Sequence, residues 1–439
     1  MTNGNLISSM DDAERDSSDH ETSPTTTVRR VMLLTQSVAM GGMETHVRDL
    51  AVEYVRRGLA VSLVLPPGGE FDRIATACSN EGVAVSRLVT DRRHGVLAEL
   101  SGLAKLAGTI RRFKPEVVHL HTGGATGGLA PFTVTRLCSR AATVRTEHDV
   151  PTALPGRSFR ATSWLTDRLT GGLVAVSRRN AHLRIARLRG HRRFSAVLNG
   201  VPTLPLDAAL KQKNREAVLG ELGVCATQTV VGSVVRLVEG KGLPDLVQAF
   251  SAIDATLPTH LLLVGDGPLR SALTDQVSRL GIADRVHFVG QRDNVTPYLD
   301  AMDVFVLAVP AGSMSIALLE AMARGVASVI TFGGPEEAVI DGVTGRTAPP
   351  NNPAALAEVL AELVRDAELR ERLAAAGFAH VREHLSAATV AEDLLQVYAA
   401  AKGAGLPPEF TVDALPSPAA PAETLSLTTP PSPSINGPP

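Results

Sequence analysis

Short runs of β-branched and aliphatic residues recur along this chain, each followed by a longer segment whose apolar positions repeat every three or four residues. In the first part the runs VRRVMLL, AVSLVL, VAVSRL, EVVHLH, ATVRT, GLVAVS and FSAVLN read as strands. Their nearly unbroken apolar character fits strands covered on both faces, as in parallel sheets. Segments such as Glu44 to Arg57 and Leu97 to Phe113 carry a helical period and fill the gaps. A second series begins near Thr229, where TVVGSVV, HLLLVG, RVHFVG, DVFVLA and ASVIT are separated by helices at Leu243 to Ile253, Leu269 to Leu280 and Ile316 to Arg324. This alternation predicts an α/β protein with two Rossmann-like, doubly wound domains.

The length, 439 residues, exceeds what one hydrophobic core organises. Residues 29–205 form the expected first domain and 215–385 the second, joined by the aperiodic stretch Gly200 to Asn214 with its two prolines. A helix within 386–402 lies beyond the second sheet's pattern and is free to cross back to the first domain. Residues 1–28, rich in Ser, Thr and Asp, and 403–439, with repeated Pro and Ser, bury too little to order themselves and read as disordered tails. Aromatic residues are only 3% of the chain, so aliphatic side chains must fill the cores. Cys78, Cys138 and Cys225 are far apart and form neither a disulfide framework nor a CxxC site, so they are expected to be core thiols in a reducing compartment. With no apolar leader and no stretch of spanning length, a cytoplasmic protein, at most peripheral to a membrane, is expected.

Charge changes this picture. The net value is −2, yet residues 29–200 sum to +14 and residues 201–439 to −11. A basic first half fits an anionic surface or substrate, and Arg178, Arg179, Arg184, Arg187, Arg189, Arg192 and Arg193 direct the expectation of peripheral contact to anionic membrane. Solvated helix faces are the plain alternative. Scarce aromatics make nucleic acid an unlikely partner.

Ligands of doubly wound sheets sit at the carboxyl ends of strands, so candidate chemistry is sought there. After the opening strand, Gly41 and Gly42 precede a helix and allow close backbone approach to a phosphate or sugar, or simply form a turn. The spacing is not GxGxxG, which disfavours a dinucleotide. In RLVEGKG, Arg236 and Lys241 put two cations at a strand end, suited to a pyrophosphate, without the Walker spacing. The turn Leu263 to Arg270 reads as structural, with Pro268 near a helix start. In AVPAGSMSIALLEAMARG, a helix opening near Ser315 offers the amides of Ser313 to Ala317 to an anion, and Glu320 lies one turn further, suited to ribose hydroxyls. His119 and His121 flank Leu120 without an evident third ligand, so a structural role is favoured over a metal. His148 follows a strand and is a candidate for substrate hydroxyls. No D-x-D occurs, so no metal and no other cofactor is expected.

Together these features resemble the GT-B glycosyltransferases of retaining family 4 over nearly all of residues 29–400. The carrying segments are GGME at Gly41 to Glu44, PEVVHLH at Pro115 to His121, NGV at Asn199 to Val201, RLVEGKG at Arg236 to Gly242, LVGDGPLR at Leu263 to Arg270, LLEAMARGVASV at Leu318 to Val329 and DGVTG at Asp341 to Gly345. The resemblance implies a UDP- or GDP-sugar donor between the domains and a glycan or lipid-linked acceptor, as in surface polysaccharide or glycolipid synthesis. It implies that Arg236 and Lys241 neutralise the diphosphate, that Glu320 holds the ribose, and that Gly41, Gly42, Ser313, Ser315 and Ile316 approach phosphate and sugar. His148 would reach the donor sugar, and backbone at Gln291 and Arg292 the base. Transfer would retain configuration through an oxocarbenium-like state.

One position departs from the family pattern. Eight residues before Glu320 the family has a glutamate, and here stands Gly312. A lost charged hydrogen bond costs about 1.5–3 kcal/mol, roughly tenfold to a hundredfold in binding. An altered donor, compensation by Ser313, Ser315 or a residue across the cleft, or nucleotide binding without catalysis would each account for it. The rival readings are therefore a non-catalytic nucleotide-sugar-binding subunit and a UDP-sugar epimerase of the same architecture.

Overall fold

The computed structural model describes residues 28–37, 41–90, 95–123, 127–149, 156–188, 194–310, 314–332 and 336–404. The tails expected at either end lie outside these residues, apart from their inner margins. Val28, assigned by sequence to the first tail, is instead buried in the first sheet's core.

The first sheet comprises β1 (Arg30–Gln36), β2 (Ala60–Leu65), β3 (Ala84–Arg87), β4 (Val117–Thr122), β5 (Ala142–Glu147), β6 (Gly172–Ala175) and β7 (Phe194–Ala196), in the order β3-β2-β1-β4-β5-β6-β7. All its pairings are parallel. Its helices are α1 (Gly42–Arg56), α2 (Asp72–Asn80), α3 (Val96–Phe113), α4 (Leu129–Cys138), α5 (Arg157–Leu169) and α6 (Arg178–Leu188). Right-handed crossovers on the two sides of β1 place α1 and α2 on one face and α3 to α6 on the other. Alternation along β1 shows both faces buried, with Val31 and Leu33 packing with α1 while Met32 and Leu34 pack with α3 and α4.

The segment expected as an aperiodic linker carries a helix, α7 (Ala208–Leu222), capped where Asp207 accepts the Leu210 amide at 3.0 Å. The second sheet follows: β8 (Thr229–Val234), β9 (Thr259–Val264), β10 (Val286–Gly290), β11 (Val304–Leu307), β12 (Ala327–Thr331) and β13 (Arg346–Ala348), in the order β10-β9-β8-β11-β12-β13. Its helices are α8 (Leu243–Ser251), α9 (Arg270–Arg279), α10 (Thr296–Asp300), α11 (Ile316–Ala323), α12 (Pro353–Arg365) and α13 (Ala367–His384). Each sheet reverses direction beside its first strand, so its ligand-binding crevice falls between β1 and β4 in one domain and between β8 and β11 in the other.

A final helix, α14 (Ala387–Ala399), returns to the first domain. Val390, Leu394, Leu395, Val397 and Tyr398 are buried among Val31, Leu33, Val47 and Val144. The Tyr54 and Tyr398 hydroxyls lie 3.0 Å apart, and Arg57 meets Glu392 at 2.5 Å. Only one of the three cysteines is a core thiol: Cys78 is buried, Cys138 half-buried and Cys225 exposed, on the turn after α7 where no sheet covers it.

Candidate active site

The two crevices face each other. After β1 the chain enters α1 at Gly42, and after β11 it enters α11 at Ile316; a β-carbon on Gly42 would stand 3.2 Å from Ile316 Cγ1. Two helix N-termini thus meet across the cleft. Ser315 caps α11 through the Leu318 amide at 3.4 Å, leaving the Ile316 and Ala317 amides without a partner inside the helix. Gly41 extends α1 backward with no side-chain cap. Both ends suit an anion.

Arg236 and Lys241 lie on the turn after β8. Gly242 has φ +65°, a left-handed conformation in which a β-carbon would overlap the Ala308 carbonyl at the end of β11. This close approach presses the cationic turn against the start of the α11 loop. The LVGDGPLR turn supports it from the other side: the Leu237 amide donates to Asp266 O and the Leu269 amide to Leu237 O, both at 2.9 Å. A β-carbon on Gly265, at φ +140°, would likewise overlap the Val235 carbonyl. Gln291 and Arg292 follow β10 on the same sheet edge and are exposed, with the Arg292 guanidinium 5.3 Å from the Tyr298 ring centre. Ser313 and Gly312 lie outside the described residues.

Glu320 sits one turn into α11, half-buried and facing α1. Burial, with Asp49 as a second negative charge, pushes its carboxyl up to about 7, while Arg48 pulls the other way. Asp49 is itself raised by burial despite its 2.7 Å ion pair with Arg48. Glu44, in the first turn of α1, is raised by burial and steadied by Ser37, the Gly41 backbone and Arg236 across the cleft. Sequence reasoning assigned no role to Glu44 or Asp49. Their signal was two carboxylates on the helix face that should bury apolar side chains.

His148 joins a cluster that sequence alone did not assemble. His119 and His121 occupy alternate positions on β4, so both point to the α1 face, where His46 meets them. His121 Nδ1 lies 3.1 Å from His148 Nε2; His119 bonds Tyr398 at 2.6 Å and Thr146 at 2.7 Å. Burial drives all four imidazoles down, His46 to about 4 and His119 to about 3, so they are neutral at pH 7. Among the described residues no group of His, Cys, Asp or Glu is arranged to hold a metal ion.

The two domains touch around this site. Asn199 donates to Met314 O at 3.0 Å, Glu337 accepts the Arg178 amide at 2.7 Å, and Arg73 pairs with Asp293. Seven of the ten buried polar side-chain atoms without a partner among the described residues lie in the first domain, on Thr35, Glu44, His46, Asp49, His121, Arg145 and Asn199. Native interiors satisfy such groups, so their concentration here sets the interior around α1 and β4 apart from an ordinary core.

The basic run proposed from sequence is corrected at Arg184, which is buried rather than exposed. Its guanidinium holds Glu147 at 2.9 Å and Asp167 at 2.9 Å, beside Arg145, which reaches the same acids at 2.7 and 2.5 Å. Arg189, Arg192 and Arg193 lie outside the described residues.

Comparison with known proteins places this geometry. Residues 41–199 match the model of a glycosyl transferase 4-like domain, and residues 228–366 that of glycosyl transferases group 1. N-acetyl-alpha-D-glucosaminyl L-malate synthase of Bacillus anthracis is 34% identical over 154 residues, 35% of this chain and 40% of that protein. The lipopolysaccharide core biosynthesis glycosyltransferase LpsE of Rhizobium meliloti is 32% identical over 180 residues, 41% of this chain and 52% of that protein. The chain thus spans about half or less of these relatives' length. In fold it is similar to Anabaena Alr3699/HepE, solved in complex with UDP, with a TM-score of 0.69 and 21% identity over 83% of this chain and 98% of that one.

Proposed function

Because the chain belongs to the group 1 glycosyl transferases, with the GT-B fold, we propose that it moves a sugar from a UDP- or GDP-sugar to a glycan or lipid-linked acceptor, with retention, in the synthesis of a surface polysaccharide or glycolipid. The observation that carries this reading is the convergence of Glu320, the Arg236–Lys241 turn and the α11 N-terminus at one switch point, opposite Gly42. The role of LpsE in lipopolysaccharide core biosynthesis and the UDP complex of the structural neighbour support it.

In this reading Glu320 accepts hydrogen bonds from the ribose hydroxyls. Arg236, Lys241 and the Ile316 and Ala317 amides hold the diphosphate, whose growing charge they stabilise as the glycosidic bond to the sugar breaks. The departing phosphate oxygen takes the acceptor hydroxyl's proton on the same face, which retains configuration. His148 and the Gly41–Gly42 backbone contact the sugar, and backbone at Gln291 and Arg292 meets the base. No step requires a metal or other cofactor.

The test is calorimetric titration with UDP, GDP and ADP, repeated with Glu320→Ala, then sugar release from matching nucleotide sugars with the anomer read by proton NMR. One nucleotide should bind, lose affinity in the variant, and yield the retained anomer first. Binding without release from any donor would favour the non-catalytic subunit, as Gly312 allows. Absence of binding to all three would refute the reading.

A further inference from the structure

The layer α3–α4–α5 shows an outer face unlike the rest of the surface. Half of the exposed large apolar side chains among the described residues lie on these three helices, including Leu97 (82% exposed), Leu100, Leu137 (80%), Trp164 (49%) and Leu165. The helices are neighbours: α3 packs on α4 and α4 on α5, and Arg136 ties the ends of α4 and α5 by donating to Leu169 O at 3.4 Å. Around the apolar residues stand exposed Lys105, Arg111, Arg112, Arg140, Arg160 and Arg168. Arg168 lies 4.2 Å over the Trp164 ring.

The acids of this layer are withdrawn. Its helices carry only Glu99 and Asp167, and both are buried, Asp167 between Arg145 and Arg184. Cations at helix C-termini suit the dipole, which accounts for Arg111, Arg112 and Arg168 but not for the Leu and Trp side chains between them. Two copies meeting through this face would oppose like charges. An apolar surface mixed with cations, free of exposed acid among the described residues of its helices, and carrying a Trp is complementary to a bilayer with anionic headgroups.

We infer that the outer face of α3, α4 and α5 docks flat on an anionic lipid bilayer. This moves the membrane contact from the α6 arginines, of which Arg184 is internal, to the helix layer beside it. Leu97 and Leu100 sit in the first turns of α3, at the carboxyl end of the sheet, so the cleft opens at the margin of the docked face. The inference requires no turnover and stands apart from the catalytic reading.

Trp164 is the only tryptophan of the chain, so its emission reports on this face alone. The full chain should float with vesicles of phosphatidylcholine and phosphatidylglycerol but not with phosphatidylcholine alone. Trp164 emission should shift to the blue and be quenched by brominated acyl chains. Each cation at such a surface contributes about fivefold to partitioning, so Arg111→Gln with Arg112→Gln should weaken binding about thirtyfold. Leu137→Asp should weaken it as well. Unchanged circular dichroism and nucleotide titration would show these variants folded. Flotation without a change in Trp164 emission, or equal binding to neutral vesicles, would overturn the proposal. So would an emission shift produced by DNA, or by raising the protein concentration without lipid, which would assign the face to nucleic acid or to a second copy.

Discussion

Asp167→Asn should unfold the first domain more readily than any surface substitution. The Asp167 carboxylate accepts from Arg145 at 2.5 Å and from Arg184 at 2.9 Å through each oxygen, and Glu147 completes a buried cluster of two cations and two anions. All four side chains are 5% exposed or less. Neutralising one acid leaves two guanidiniums against one carboxylate, where water cannot screen them. Removing one partner of a buried pair costs about 3–5 kcal/mol. For a domain of this size each kcal/mol moves the midpoint by about 2–4 °C, so a fall on the order of 10 °C is expected. Trp164, one turn before Asp167 on α5, reports the first domain's transition by fluorescence in urea or on heating. The sharper test is a cycle with Arg184→Met: the double variant leaves Arg145 against Glu147 at 2.7 Å, a neutral pair. It should be less destabilised than the sum of the singles by about 2 kcal/mol or more. Additive effects, or a loss below about 1 kcal/mol for Asp167→Asn, would refute the argument.

Three further outcomes follow from the cleft. Glu320 titrates at about 7 when folded and near 4.5 when unfolded, so the stability it lends when protonated is present below 4.5 and lost as pH rises through about 7. Ribose hydroxyls favour the ionised form; nucleotide affinity should rise up to about tenfold from pH 6 to 8, and Glu320→Gln should flatten a calorimetric pH series. Gly242→Ala forces a side chain into a left-handed turn against Ala308 O, and should cost about 2–3 kcal/mol in urea melts while weakening nucleotide binding. His121→Phe removes the ring nitrogen 3.1 Å from His148; nucleotide affinity should hold while sugar release falls at least tenfold, and equal losses in both would show a merely structural role.

The sheets were legible because βαβ periodicity survives in the apolar pattern, and the strand ends that hold Gly42, Arg236 and Ser315 follow from it. What pattern does not carry is juxtaposition between distant elements. His46, His119, His121 and His148 belong to three separate segments, and only the parallel register of β1, β4 and β5 brings them together. Arg184 illustrates the same gap for charge: its sequence neighbours are arginines, yet its partners lie on β5 and α5, so an apparent surface run conceals an internal ion cluster. The helix at Ala208 escaped because a weakly amphipathic, charged segment after two prolines offers little periodicity, although Asp207 was a readable cap.

The return of α14 to the first domain has a consequence for synthesis. The slot filled by Val390, Leu394, Leu395 and Tyr398 is complete only once those residues have been made, nearly two hundred positions after β7 ends. At about 5–20 residues per second, a translating ribosome leaves that apolar slot open for roughly 10–40 s. The second domain closes hardly sooner, because its own core draws on Leu373, Val381 and Leu385, made just before α14. The nascent first domain is therefore a natural client for chaperones, and any truncation before Ser386 would prolong that dependence indefinitely.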